Sequence, residues 1–241
     1  MFSILRKEIL DFFSNITGYI VVGVFLIING LFLWIIPGEY NIIESGYATL
    51  DSYFYLVPWL YLFLCPAITM NSIAGERVNG TWELLITKPV SKFSLISAKF
   101  FGSWLVVLLA LLPTIIYFIS IYFIAQPAGN VDGGAFTGSF IGLILLAGVF
   151  LAIGIFSSSL IPNQIVVYII ALVLSFFMFW GFELFSTFFK SGALLTFIDS
   201  LGINYHFKSI SKGVIDFSDL SYFLFLIIVF LFLTDLRLRR K

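Results

Sequence analysis

Apolar residues run in long blocks along this chain, interrupted by charges only at widely spaced points. Stretches without Asp, Glu, Lys or Arg cover residues 12–38, 52–75, 100–131 and 133–182, which are 27, 24, 32 and 50 residues long. A bilayer core about 30 Å thick needs about 20 helical residues, so the first three blocks each hold one span and the fourth holds two joined by a turn. Backbone polar groups in lipid must pair within their own segment, which makes each span an α-helix. The spans predicted are 17–36, 54–73, 101–124, 137–160, 164–185 and 217–236. The last has the shortest charge-free core, 220–234, and its ends must let Asp219 and Asp235 reach the headgroups. The expected fold is all-α: a polytopic membrane protein with six transmembrane helices in a single domain, residues 1–241.

Composition carries the same message, since 61% of the 241 residues are hydrophobic and 11% charged, which no water-soluble surface can display. The first apolar run is too long for a cleavable signal peptide and is expected to remain as a span. Thirteen basic residues balance thirteen acidic ones, which argues against nucleic acid as a partner. Cys65 is the sole cysteine and His206 the sole histidine, which excludes an internal disulfide and a His-rich metal site. The spans hold no paired acids or serine dyad of the kind a membrane-embedded hydrolase needs, so no catalytic or metal residue is assigned.

Basic residues orient the bundle. With the N-terminus in the cytoplasm, inner segments hold Arg6, Lys7, Arg77, Lys88, Lys92, Lys99, Arg237, Arg239, Arg240 and Lys241, ten of the thirteen. Outer loops keep only Lys190, Lys208 and Lys212. Positive charge favours the cytoplasmic side, so both termini are expected there. Trp34 and Trp180 at outer span ends and Trp104 near an inner end fit an aromatic belt. Trp82 does not, because it falls in the one long inner loop, residues 74–99.

Ahead of the first span, residues 1–16 place Ile4, Leu5, Ile9, Phe12 and Phe13 among charges at helical spacing. It reads as an N-terminal interfacial helix, and a plain cytoplasmic extension of span one fits the pattern about equally. The outer segment 186–216 contains an apolar stretch too short to span, which suits either shallow re-entrant helices or an ordinary surface loop, the latter slightly favoured. Pro58, Pro66 and Pro113 fall inside spans, where each removes a backbone donor, and a static bundle accommodates them.

The most informative stretch is 76–91. Asn79-Gly80 reads as a turn, Thr81 is placed to cap a short helix with its hydroxyl, Glu83 suits the positive helix start, and Pro89 stops the helix. Trp82, Leu85 and Ile86 share one face of it, ringed by Glu76, Arg77, Glu83 and Lys88. Such a face fits a groove on a partner, and equally fits lipid headgroups or the protein's own inner surface.

Six spans, an amphipathic N-terminal segment and the pattern E-R-x-x-G-T-W-E-L-L-x-T-x-P-V-S from Glu76 to Ser91 resemble the permease subunits of type-2 ABC transporters, with Trp82 standing where leucine is common. Within that family the likeness is greatest to gliding-motility permease subunits of Bacteroidetes. No G-x-x-x-x-G-K-[ST] phosphate loop occurs, so the chain cannot itself hydrolyse ATP by the P-loop route. The resemblance implies a separate dimeric ABC ATPase that binds ATP and Mg, no cofactor in this chain, and a second permease chain of the same or a different kind. It also implies that a coupling helix enters the ATPase, with Trp82, Leu84 and Leu85 packing and Glu76, Arg77 and Glu83 making charged contacts. Gly80, Thr81, Pro89, Val90 and Ser91 complete the motif.

Weaker signals remain. Glu183, near the outer end of span five, reads as a snorkelling carboxylate first and a substrate contact second. Gly142, Gly148 and Gly154 suit close helix packing. The basic tail Arg237, Arg239, Arg240 and Lys241 suits anionic lipid and topology. Export and a non-transporting, force-transmitting role would use the same loop, and the short outer segments favour export or lipid-linked translocation.

Overall fold

The computed structural model describes residues 2–87, 91–189, 192–213 and 216–239. Among these there are helices and no strand. Six helical stretches are long and apolar enough to cross a membrane: Ile16–Ile35, Asp51–Val78, Lys92–Ile124, Gly133–Leu160, Gln164–Ser186 and Phe217–Arg239. The protein is an all-α polytopic membrane protein. Large apolar side chains such as Ile16, Ile27, Ile35, Ile116 and Phe123 stand exposed on the outside of the bundle, a surface that suits lipid rather than water.

Helix α1 (Phe2–Ser14) is separate from α2 (Ile16–Gly30), because Asn15 between them is extended at φ −98°, ψ 138°. The chain therefore does not run on as one uninterrupted helix into span one. A π-helical turn, Leu31–Ile35, ends that span, and α3 (Ile42–Ser45) follows, capped by the Asn41 side chain. Span two is α4 (Asp51–Thr69), continuous through Pro58 and Pro66. The short helices α5 (Ala74–Val78) and α6 (Thr81–Ile86) come next. Span three, α7 (Lys92–Leu111), starts nine residues earlier than the charge pattern predicts, because Ser91 accepts a bond from the Ser94 amide and begins the helix there. Its second half, α8 (Ile115–Ile124), follows a 3-10 turn at Pro113.

Span four, α9 (Gly133–Leu160), is the axle. It is apolar on every side, so it has no polar face to turn outward, and Leu143, Leu146, Val149, Phe150 and Ile153 are wholly buried. Span five comprises α10 (Gln164–Phe176), a π-helical turn at Phe177–Gly181 and α11 (Phe182–Ser186). The segment that follows folds into α12 (Gly192–Asp199) and α13 (Ile203–Ile210) rather than a plain loop. Ile203, Phe207 and Ile210 are buried along one side of α13, against α9. Span six is α14 (Phe217–Arg239).

Small residues let the spans approach α9. A Cβ on Gly154 would lie 2.0 Å from Thr69 Oγ1 on α4, and one on Gly148 would lie 2.9 Å from Ile227 Cδ1 on α14. Two acids expected to snorkel do not. Asp219 is 4% exposed and bonds His206 Nδ1 at 2.6 Å, tying α13 to the start of α14. Asp235 is 2% exposed and pairs with Arg239 at 2.7 Å. Burial strengthens such pairs, so inward partners replace headgroups.

Gly154→Ala forces α4 and α9 apart and should cost about 1–3 kcal/mol as overpacking. It is expected to lower the thermal midpoint of the detergent-solubilised protein, while Gly23→Ala, with nothing within 4 Å of its added Cβ, leaves the midpoint unchanged.

Candidate functional site at the end that carries both termini

The two termini, α5 and α6 lie together at one end of the bundle. This is seen from Lys92, whose Nζ donates to the Leu238 carbonyl at 2.9 Å, and from α1, which packs on the first half of α7. A Cβ on Gly102 would come within 2.8 Å of Glu8 Cβ, so the missing side chain is what lets α1 lie close against α7.

One buried lysine organises this end. Lys99 on α7 is 1% exposed, and its ammonium reaches Glu8 of α1 at 2.8 Å and Glu76 of α5 at 2.9 Å. Lys7 adds a longer contact to Glu76 at 3.7 Å. A buried ammonium is tolerated only when counter-charges replace its water, and here two elements distant in sequence each supply one. Glu8 and Glu76 would repel each other without the cation between them.

A second fastening holds α5 to α9. Ser158 Oγ accepts from the amides of Ile73 at 3.0 Å and Ala74 at 2.9 Å, at the start of α5, where helix amides lack intrahelical partners. Arg77 Nη1 donates to the Ser159 carbonyl at 2.9 Å, near the C-terminal end of α9. The same guanidinium stands 5.7 Å from the centre of the Trp82 ring, a cation–π contact that bridges α5 and α6.

The turn between α5 and α6 is made by Gly80 at φ +69°, a left-handed conformation that side-chain-bearing residues rarely adopt. Thr81 does not cap α6 with its hydroxyl as expected. It is the first helical residue, Gly80 holds the cap position, and Thr81 Oγ1 donates back to the Glu76 carbonyl at 3.3 Å. Trp82 turns inward and is only 8% exposed, packed with the core, and Leu85 is half-buried beside it. Gly80, Thr81 and Glu83 stand exposed on the outward side. The tryptophan thus secures α6 to its own bundle, and the polar residues form the accessible surface.

Of the remaining motif residues, Ser91 caps α7. Pro89, Val90 and the side chain of Leu84 lie outside the described residues, as do Arg240 and Lys241. Arg237 is half-buried and Arg239 exposed at the end of α14. Glu183 lies far from this cluster, at the opposite end of the bundle, where it pairs with Lys208 at 2.9 Å and accepts from Asn204. Sequence reasoning counted Lys99 only as a topological charge and did not single out Glu8 or Ser158. The available signal was a lysine three residues before a glycine at the start of an apolar span, facing a glutamate on an amphipathic helix.

Residues 42–241 match the family described as ABC-2 family transporter protein, and the chain belongs to it. It is a permease component of an ABC transporter, a transport subunit rather than a catalytic one. No curated protein matches the chain.

Lys99→Met leaves the half-buried Glu8 and Glu76 facing each other with only the more distant Lys7 nearby, and should destabilise the protein by about 1–3 kcal/mol. Thermal unfolding in detergent checks this. Part of the loss should return as pH falls, because protonating either carboxylate removes the repulsion, and Glu8→Gln combined with Lys99→Met should restore stability at neutral pH.

Proposed function

We propose that this permease converts the motion of a separate ATPase dimer into translocation, receiving force through α5 and α6. The observation that carries the reading is the double fastening of this segment, to α1 and α7 through Lys99 and to α9 through Ser158 and Arg77. A partner pressing on the exposed side of α6 meets a segment that cannot yield alone. Its displacement would pass into the helices that flank it at Ile73 and Phe101, and into the central span. ATP and Mg would be held by the ATPase subunit, which would receive one such segment from each of two permease chains.

In this reading Thr81 and Glu83 meet the ATPase, Glu76 and Arg77 hold the segment in register, and Trp82 keeps α6 on the bundle. The termini and this segment face the cytoplasm of a bacterial inner membrane, as the lysine and arginine distribution favours. Export is the activity proposed, with gliding motility as its setting on the sequence likeness. The second reading is a permease pair that transmits force to extracytoplasmic machinery without moving cargo. It is favoured by the same fastening and disfavoured by short outer segments, the longest spanning 186–216.

Glu83→Lys is expected to lower ATPase co-purification at least about fivefold while membrane insertion and thermal midpoint stay unchanged, since the residue is exposed and reversal of one contact charge is worth about 1 kcal/mol. Trp82→Ala should lower both co-purification and the midpoint. Normal ATPase recovery with Glu83→Lys would count against the docking surface. Cargo movement in vesicles reconstituted with both subunits separates export from force transmission.

A further inference from the structure

At the end opposite the termini, a cavity of about 920 Å³ opens between α4, the start of α9, span five and α13. Its apolar side is aromatic. Trp59 of α4 and Trp180 of the π-helical turn stack with ring centres 3.9 Å apart, and Phe179 lies beside them. Phe179 and Trp180, adjacent in sequence, both line the cavity from the π-helical turn, and such turns recur at functional sites. Tyr55 and Trp59, one helical turn apart, are 63% and 42% exposed, so the cavity opens sideways between spans two and five. Trp59 lies eight residues into α4. At 1.5 Å per residue this is about 12 Å below the helix start, at the depth of headgroups and upper acyl chains.

The polar side is divided by charge. Glu183 and Lys208 neutralise each other at 2.9 Å, and Asn204 occupies the second Glu183 oxygen. What remains is one cation and one anion: among the described residues, the side chains of Lys212 and Asp51, both exposed and both lining the cavity, have no hydrogen-bond or ion-pair partner. An amphiphile that satisfies all of this has apolar chains for the aromatic wall and a headgroup bearing both a phosphate and an ammonium. An anionic lipid would meet Lys212 favourably but would be repelled by Asp51.

We propose that this cavity binds one zwitterionic phospholipid from the adjoining leaflet, its phosphate on Lys212, its ammonium on Asp51 and its upper chains against Trp59 and Trp180. The inference rests on the chain's place in a bilayer and not on the coupling role of α5 and α6. The permease alone therefore tests it, and its failure leaves that role untouched.

Native mass spectrometry of the permease in mild detergent, titrated with phosphatidylethanolamine, phosphatidylcholine and phosphatidylglycerol of identical chains, reads the preference. The expected result is one retained lipid per chain, with a zwitterionic lipid held about fivefold over phosphatidylglycerol, as one unfavourable charge near a headgroup is worth about 1 kcal/mol. Lys212→Gln should lower retention of the zwitterionic lipids about fivefold. Asp51→Lys should invert the preference in favour of phosphatidylglycerol. The wild-type ranking stands even if a variant folds poorly. Equal or greater retention of phosphatidylglycerol by the wild type overturns the proposal. So does the absence of a retained lipid, including a dimeric species that retains none because a second copy covers the cleft.

Discussion

An ammonium group with almost no contact with water sits two helical turns into α7, and the geometry around it follows from the need to neutralise it. Lys99 takes one carboxylate from α1 and another from α5, so three elements distant in sequence meet at a single charge. Neither carboxylate could stay so close to the other without it. The orientation of α1, lying on Gly102, and the position of α5 beneath span two are thereby the same fact. Around this centre the Ser158 hydroxyl and the Arg77 guanidinium add α9, so that the segment after span two is held by α1 and the third and fourth spans together. In the proposed mechanism this is why a push on α6 is felt as movement of the bundle rather than as local unfolding.

The two ends of the bundle are built differently around the same axle. At the end with the termini, Lys99 is buried between two carboxylates, and the aromatic Trp82 is folded inward. At the opposite end, α13 is tied down by the His206–Asp219 pair and by a Tyr222 ring stacked on His206 at 3.9 Å, and it leaves an aromatic cleft open between spans two and five. Close approach of α4 and α14 to the glycines of α9 connects the ends mechanically.

Much of this was legible in the residues. Long charge-free blocks located five spans and a shorter one the sixth, because a helix pairs its backbone groups within its own segment in lipid, and Asn79-Gly80 marked the turn that Gly80 makes with its left-handed backbone. What the pattern could not supply was which charges go inward. Lys99, Asp219 and Asp235 read as boundary markers in one dimension, since burial of a charge depends on a partner brought from elsewhere in the chain: Glu8, His206 and, one helical turn on, Arg239. Trp82 stayed open for the same reason. Periodicity shows that it shares a face with Leu85, but not that the face meets the protein's own core. Span three begins earlier than its apolar run because Ser91 caps the helix ahead of it and the buried, paired Lys99 is carried inside it.

The central claim is that the outward side of α6 faces the cytoplasm and is covered by the ATPase. Thiol accessibility at Glu83→Cys tests it most directly, the native Cys65 being fully buried. A membrane-impermeant thiol reagent should label this position in inverted membrane vesicles and not in intact cells, and bound ATPase should block the label. Labelling from outside intact cells, or labelling in vesicles that the bound ATPase leaves unchanged, would contradict the account.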